Sequence, residues 1–513
     1  MQRSWSCGSF DLCENTDDSY VDVGDIDSSY SSTPSEVTSI FLPKLKKMLS
    51  RINNLSPKIP FEEKDGTAVA KLILESMYTK GRVYHSMNHV FNIVQNCDAV
   101  GQHNPILVLT TLFHDVIYYS VDKSFKKSQL ELFDGVLIFE NENESDSDNS
   151  DSEKHVGHIE GQRRRLHLPM LLSSEAQEDP LVNMVMRLFD FEPGVALPTS
   201  GTNEFLSAII GVRVLSRWLS LPQLMQLTVG IEGTIPFRPK TPDGKNPMDR
   251  LYDRLRKTVV ATDLSEDWLT ESIELAAIMA NRDLCSFDTS DHNFFLDSNW
   301  SLIPEFRPAI LDKNCPLREY YDEFLAMEGK TKFLLSSVPK IFQSFRNVPS
   351  DVEIAAKQAM TRTNLNLADD YAQVRRLQLM ILTEFVTIVG EDPDTIPGRP
   401  FLSMEISQSQ LGSVKGDEGQ DQDVVRELLF VGRRTGFPWD PSRCSLGAFL
   451  YDKLGKKGVD RAVEIGKNRT PGGILDHIPK DVVAAIAISL VDVLPNRAEE
   501  ILELTNKLDN HTL

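Results

Sequence analysis

The sequence predicts an all-α protein, and three observations carry that prediction. Apolar residues recur at helical spacing from Ile40 onward, first as Leu42, Leu45, Met48, Leu49 and Ile52. No convincing alternating stretch of the kind that marks a half-buried strand interrupts them. The chain has 513 residues, 41% hydrophobic and 25% charged, which is ordinary globular composition and enough length for a large core.

The elements follow in order. Residues 1–38 form a Ser- and Asp-rich tail, and residues 1–40 hold eight acids against the single base Arg3. Helical spacing then runs through Val69, Leu72, Ile73, Leu74 and Met77, through Val90, Ile93, Val94 and Cys97, and from Leu107 to Ile117. A helix ending near Phe139 meets the run 140–153, which has seven acids and no base. The tail and this run each carry −7, so together they hold −14 of the net −21. Neither has the apolar content to fold alone, and both are expected to be disordered, the insert over 140–180. Helices resume near Leu181, run from Asn203 to about Gly230, then cover Met248–Ala261, Ser265–Leu284 and Val352–Ile388. The long last one places Tyr371, Val374, Leu377, Met380 and Ile381 on one face. Residues 395–424, with Pro397, Pro400, Gly412, Gly416 and Gly419, read as a linker, and 425–513 as a small C-terminal helical subdomain. A main domain over 39–394 is therefore expected.

Composition narrows the function classes. The polar start and the lack of a long unbroken apolar stretch give no secretory signal and no membrane span, so a cytoplasmic protein is expected. Six scattered cysteines without paired spacing read as reduced thiols. Net acidity argues against a nucleic-acid surface, which needs a basic stripe. Nothing in the sequence identifies a protein partner.

Chemistry concentrates in two motifs, Tyr84-His85-Ser86-Met87-Asn88-His89 and Phe113-His114-Asp115-Val116-Ile117-Tyr118-Tyr119. Helical residues four apart share a face, so His85 and His89 are expected to point into one space. Leu107-Val108-Leu109-Thr110-Thr111-Leu112-Phe113 runs directly into His114-Asp115, which places a carboxylate at the end of a buried run. Such a carboxylate is costly unless it is paired or binds a metal. Imidazole and carboxylate together suit a divalent metal such as Mn, Fe or Zn, which activates water at neutral pH.

On these motifs the chain resembles the HD superfamily of metal-dependent phosphohydrolases, in particular bacterial members with a Tyr-His-x-x-x-His opening followed by His-Asp-x-x-Tyr. The opening is also similar to that of cyclic-nucleotide phosphodiesterases. The resemblance implies an HD-domain helical bundle, with His85 as proton donor to the leaving oxygen, His89, His114 and Asp115 as metal ligands, and a final aspartate from a distant helix. Asp283, after an apolar helical stretch, is preferred for that last place. Asp263, in an Asp-Leu-Ser stretch, is the alternative, and the loser becomes a cap or surface carboxylate. Many such bacterial members carry a glutamate in an Asn-Glu-x-x-Ser motif soon after His-Asp, and the stretch in that position here is Ser124-Phe125-Lys126-Lys127-Ser128.

The expected function is a metal-dependent phosphohydrolase acting on a mono- or diester of a small phosphorylated substrate, nucleotide-type among the options, through metal-activated water. The ion is Mn, Fe, Zn or Mg, and Asp115 either bridges a second ion or accepts the water proton. Arg82 and Arg282, beside the ligands in sequence, are candidates to hold phosphate, with Lys80 and Arg238 weaker ones. Tyr84 and Tyr118 are candidates to stack on substrate, against the alternative that they wedge helices together. A rival reading is an HD-fold scaffold or regulatory protein that has lost turnover, which the absent glutamate and acidic insert would suit.

Overall fold

The structure, a computed structural model, describes residues 34–79, 81–99, 104–122, 124–138, 170–260, 262–406, 423–467 and 473–510. Most of the acidic tail, the acidic part of the insert, Lys80 and much of the expected linker lie outside these residues. The protein is all-α apart from one small ribbon, in which β1 (Leu137–Ile138) pairs antiparallel with β2 (Leu171–Leu172) across the ends of the insert. This ribbon stands where the sequence predicted the end of a helix.

The first half builds one apolar core. α1 (Pro34–Leu49) packs on α2 (Glu63–Met77), followed by α3 (Met87–Ala99) and α4 (Pro105–Phe113). α4 starts sharply because Asn104 accepts from the Ile106 N–H and Pro105 supplies a preset φ at the first turn. Every residue from Ile106 to Phe113 is buried, as befits a helix that is apolar all round. After the short helices α5 (Tyr119–Asp122) and α6 (Lys127–Leu132) come α7 (Pro180–Phe189), α8 (Thr202–Leu215), α9 (Leu221–Gly233), α10 (Pro247–Thr258) and α11 (Glu266–Asp283). The helix expected from Asn203 to Gly230 is two, because Ser220 and Gln223 form a capping box that starts α9 afresh with Pro222 in its first turn.

The second half has its own core, from Phe287 to Ile501. It contains α12 (His292–Ser301), α13 (Ile303–Phe306), α14 (Leu317–Ile341), α15 (Asp351–Ile388), α16 (Arg399–Leu402), α17 (Val424–Phe430), α18 (Ser445–Lys467), α19 (Lys480–Val493) and α20 (Ala498–Asn510). The apolar packing divides between Ala280 and Phe287, except that Phe345 joins the first core, and residues 425–501 share one core with residues 287–406 across the expected linker. α15 buries more than one face, because α14, α17 and α18 all pack against it. Its two enclosed arginines are paired: Arg375 with Asp440, and Arg376 with Asp369 and Glu328.

Among the described residues no helix is long and apolar enough to cross a membrane, and Cys315 and Cys444 are free thiols.

Candidate metal centre

Three helix ends bring the ligand atoms together. His89 lies in the first turn of α3, His114 caps the C-terminus of α4 with Asp115 following in the turn, and Asp283 is the last residue of α11. One ligand atom from each of His89, His114, Asp115 and Asp283 lies within 4.8 Å of the others, a group that could hold a metal ion. Asp283 Oδ1 stands 2.9 Å from His89 Nε2 and 3.2 Å from His114 Nε2, and Asp115 Oδ2 stands 3.1 Å from His114 Nε2. Two helices end at the cluster, so their negative dipole ends add to a field that favours a cation.

Hydrogen bonding shows why a cation fits. His114 Nδ1 donates to the Thr111 carbonyl oxygen at 2.8 Å, which leaves Nε2 of the neutral ring with a lone pair facing two carboxylates. Asp115 Oδ2 is buried and makes no hydrogen bond. An orphaned buried carboxylate oxygen opposite an imidazole lone pair is resolved by one extra proton or by one divalent ion. Without an ion, burial opposes charging His114, but Asp115 and Asp283 outweigh it and raise its pKa well above the ordinary value.

Asp263 takes no part in this group. It is exposed in the loop before α11 and lines a separate surface pocket with Leu221, Pro222 and Met225, while neighbouring Ser265 caps α11 by accepting from the Trp268 N–H.

His85 is not on the helix with His89, as its spacing predicted, but in the loop ahead of α3. That loop is claimed by Glu305 of α13, whose Oε1 accepts the N–H groups of Val83, Tyr84 and His85 at 2.8, 2.8 and 3.0 Å. Its Oε2 lies 2.6 Å from His85 Nδ1. Burial disfavours a charged His85, but Glu305 and then Asp115 outweigh that and its pKa rises. Sequence reasoning missed Glu305, since a lone glutamate in Ile303-Pro304-Glu305-Phe306 carries no local pattern.

Glu204 was missed too, although a signal existed. Asn203-Glu204-Phe205-Leu206-Ser207 is an Asn-Glu-x-x-Ser stretch, displaced downstream of His114-Asp115 by the insert. Asn203 Oδ1 accepts from the Tyr119 N–H and Ser207 Oγ from the Ile117 N–H, both at 3.0 Å, which ties the first turns of α8 to the backbone just past Asp115. Burial pushes the Glu204 carboxyl up to about 7, with the charges of Asp115 and Asp283 adding to the rise. Ser124–Ser128, the stretch matched to that motif from the sequence, has no glutamate, whereas this later stretch has one.

The remaining candidates divide. Arg82 does not face an open site: its guanidinium is buried, grips Asp122 through Nε (2.7 Å) and Nη2 (2.6 Å), and donates from Nη1 to the Asp115 carbonyl oxygen at 2.5 Å. It therefore braces the backbone that carries Asp115. Arg282 is half-buried at the end of α11, and Arg238 pairs with Glu232. The Tyr118 ring stacks on His85 at 4.2 Å, and the Tyr84 ring lies 4.7 Å from His89 while its hydroxyl meets Ser286 Oγ at 3.3 Å. Both tyrosines thus pack on the histidines. Compared with known proteins, the chain matches no family model, no curated protein and no solved structure.

Proposed function

We propose that the protein is a metal-dependent phosphohydrolase of the HD type, acting on a phosphate ester of a small molecule. The observation that carries this reading is the buried group of two imidazoles and two carboxylates, with Asp115 Oδ2 left without a hydrogen bond. His89, His114, Asp115 and Asp283 would hold a divalent ion, which when bound supplies charge neutralisation at the phosphate and a more acidic water. The chain's own residues supply the rest. His85, kept charged beside Glu305 and stacked on Tyr118, is oriented to give its Nε2 proton to the departing oxygen. Glu204, with a carboxyl near neutrality, is suited to accept the proton of the attacking water. Arg82 holds the turn of Asp115 in place from below. One of the supports of the scaffold alternative, the absent glutamate, is weakened by Glu204, which lies in an Asn-Glu-x-x-Ser stretch beside the turn of Asp115.

The test is metal content by mass spectrometry of the purified chain and of His114→Ala/Asp115→Ala, beside a screen of phosphomonoester and phosphodiester substrates. Metal near one per chain that disappears in the double variant, with hydrolysis lost in parallel, is expected. No metal in either protein after reconstitution with Mn, Fe or Zn would refute the reading.

A further inference from the structure

Three guanidiniums gather around the buried carboxylate of Glu232 near the end of α9. Arg238 donates from Nη1 to Oε1 at 2.5 Å and from Nη2 to Oε2 at 3.1 Å, and Arg254 donates from Nη2 to the same Oε1. Arg250, one turn before Arg254 on α10, has no acid within ion-pair distance among the described residues and donates to the Pro239 carbonyl oxygen at 3.2 Å. The nearest acids along α10 are committed elsewhere. Asp249 accepts the Asn246 N–H at 2.9 Å, and Asp253 pairs with Lys245 at 2.6 Å.

One bidentate arginine is enough to satisfy a carboxylate. Two guanidiniums on one buried acid, with Arg250 beside them on α10, leave an excess of positive charge that Glu232 does not require. All three arginines are partly open to solvent, and Arg238 Nε and Arg254 Nε are without hydrogen-bond partners. Burial and the charges of Arg238 and Arg254 depress the Arg250 pKa and outweigh the opposing charge of Glu232.

The cluster neighbours the metal-ligand group. Gly201 packs so closely on Ile235 that an added Cβ would stand 2.9 Å from its Cδ1, so the chain just before Arg238 lies against the start of α8. Glu204 is in the first turn of α8, which Asn203 and Ser207 tie to the backbone just past Asp115.

We propose that Arg238, Arg250 and Arg254 form a second anion subsite, which takes a further phosphate of a substrate whose reacting phosphate lies at the metal centre. The substrate class is then a diphosphate ester or a small molecule bearing two phosphates. This rests on the phosphohydrolase reading, and the experiment separates the two. Binding of inorganic orthophosphate and inorganic pyrophosphate to the full chain is measured by calorimetry, with and without prior loading with Mn, for the wild type, Arg250→Ala and Arg250→Lys. Arg250 is chosen because it lies outside the pairs that neutralise Glu232, and circular dichroism checks the fold of each variant.

The wild type is expected to bind pyrophosphate at least about tenfold tighter than orthophosphate, a difference of about 1.4 kcal/mol. Arg250→Ala should bring the ratio to within about twofold without changing orthophosphate binding or metal content, and Arg250→Lys should restore part of it. No preference for pyrophosphate in the wild type, or a preference that survives in folded Arg250→Ala, overturns the subsite. If orthophosphate ignores the metal while pyrophosphate still depends on Arg250, the hydrolase reading fails and the anion site stands.

Discussion

Asp283 Oδ1 stands close to both candidate ligand imidazoles, 2.9 Å from His89 and 3.2 Å from His114, whereas Asp115 Oδ2 is close to His114 alone, so the group depends on Asp283 more than its place at a helix end suggests. Outer-shell partners of metal ligands alone cost about 10–100-fold in affinity when removed. Asp283→Asn should therefore weaken metal binding by at least about 100-fold, whereas Asp263→Asn should leave it unchanged. Metal titration of both variants checks this, and equal losses would remove Asp283 from its assigned role. The same group fixes a pH dependence for the metal-free chain. His114 has its pKa raised well above the ordinary value, while Asp115 and Asp283, despite burial, are pulled down by His114, Asp283 to about 2. A raised histidine gives stability that is complete below its unfolded pKa of about 6.5 and is lost as pH climbs through the folded value. The lowered aspartates stabilise above about pH 3.9 and lose that as pH falls through their folded values. Chelated protein should therefore melt at progressively lower temperature as pH rises above about 6.5, while metal affinity strengthens in the same direction because the ligands shed protons. A melting temperature of the chelated chain that is flat from about pH 6 to 9 would contradict the coupling.

At the level of elements, α9 sets the spacing of the two helices that end at the centre. Gly230 faces α4, where an added Cβ would stand 2.8 Å from both Oγ1 and Cγ2 of Thr110, and Gly233 faces α11, where it would stand 3.0 Å from the Ala276 carbonyl oxygen. Hydrogen at those positions lets His114 and Asp283 approach across α9. Gly230→Ala should cost about 1–3 kcal/mol through overpacking and weaken metal binding as α4 moves. Gly329→Ala, in α14 with nothing within 4 Å of the new methyl, should instead stabilise by about 0.5–1 kcal/mol. Urea unfolding of the two variants should give opposite signs, and similar signs would show that helix spacing does not decide the first. Legibility follows the same lines. The candidate ligands were readable because His89, His114 and Asp115 fall within short motifs and Asp283 closes an apolar helix. Glu204 was hidden by the insert, which moved its motif away from His114-Asp115. The direction of Arg82 was illegible, since adjacency to a ligand in sequence does not say which way a side chain turns, and here Asp122 claims it. The sequence spacing of His85 and His89 suggested one helix, but a tertiary carboxylate held the loop open instead.

On the scale of the whole molecule, the two apolar cores meet at this site. Glu305 belongs to the half that contains the second core, yet it accepts three backbone N–H groups from the loop of His85 and holds that ring from behind. Asn281 adds a second tie, exchanging hydrogen bonds with the backbone of Gln343 at 2.7 and 2.8 Å. In the proposed reaction the second half thus takes part through one side chain, although the four candidate ligands all come from the first. That division separates metal binding from proton delivery. Glu305→Gln keeps an oxygen for the loop but removes the negative charge that raises the His85 pKa, for which Glu305 is the first cause after burial. Metal content should stay at the wild-type level, while hydrolysis at neutral pH falls by about 100-fold or more, the range assigned to a positioned general acid. The rate should also lose activity at lower pH than in the wild type, because His85 sheds its proton earlier. His85→Ala should be as slow as Glu305→Gln and insensitive to adding the second substitution. A Glu305→Gln variant that keeps its metal and its full rate would leave Glu305 as a strut between the two halves and nothing more.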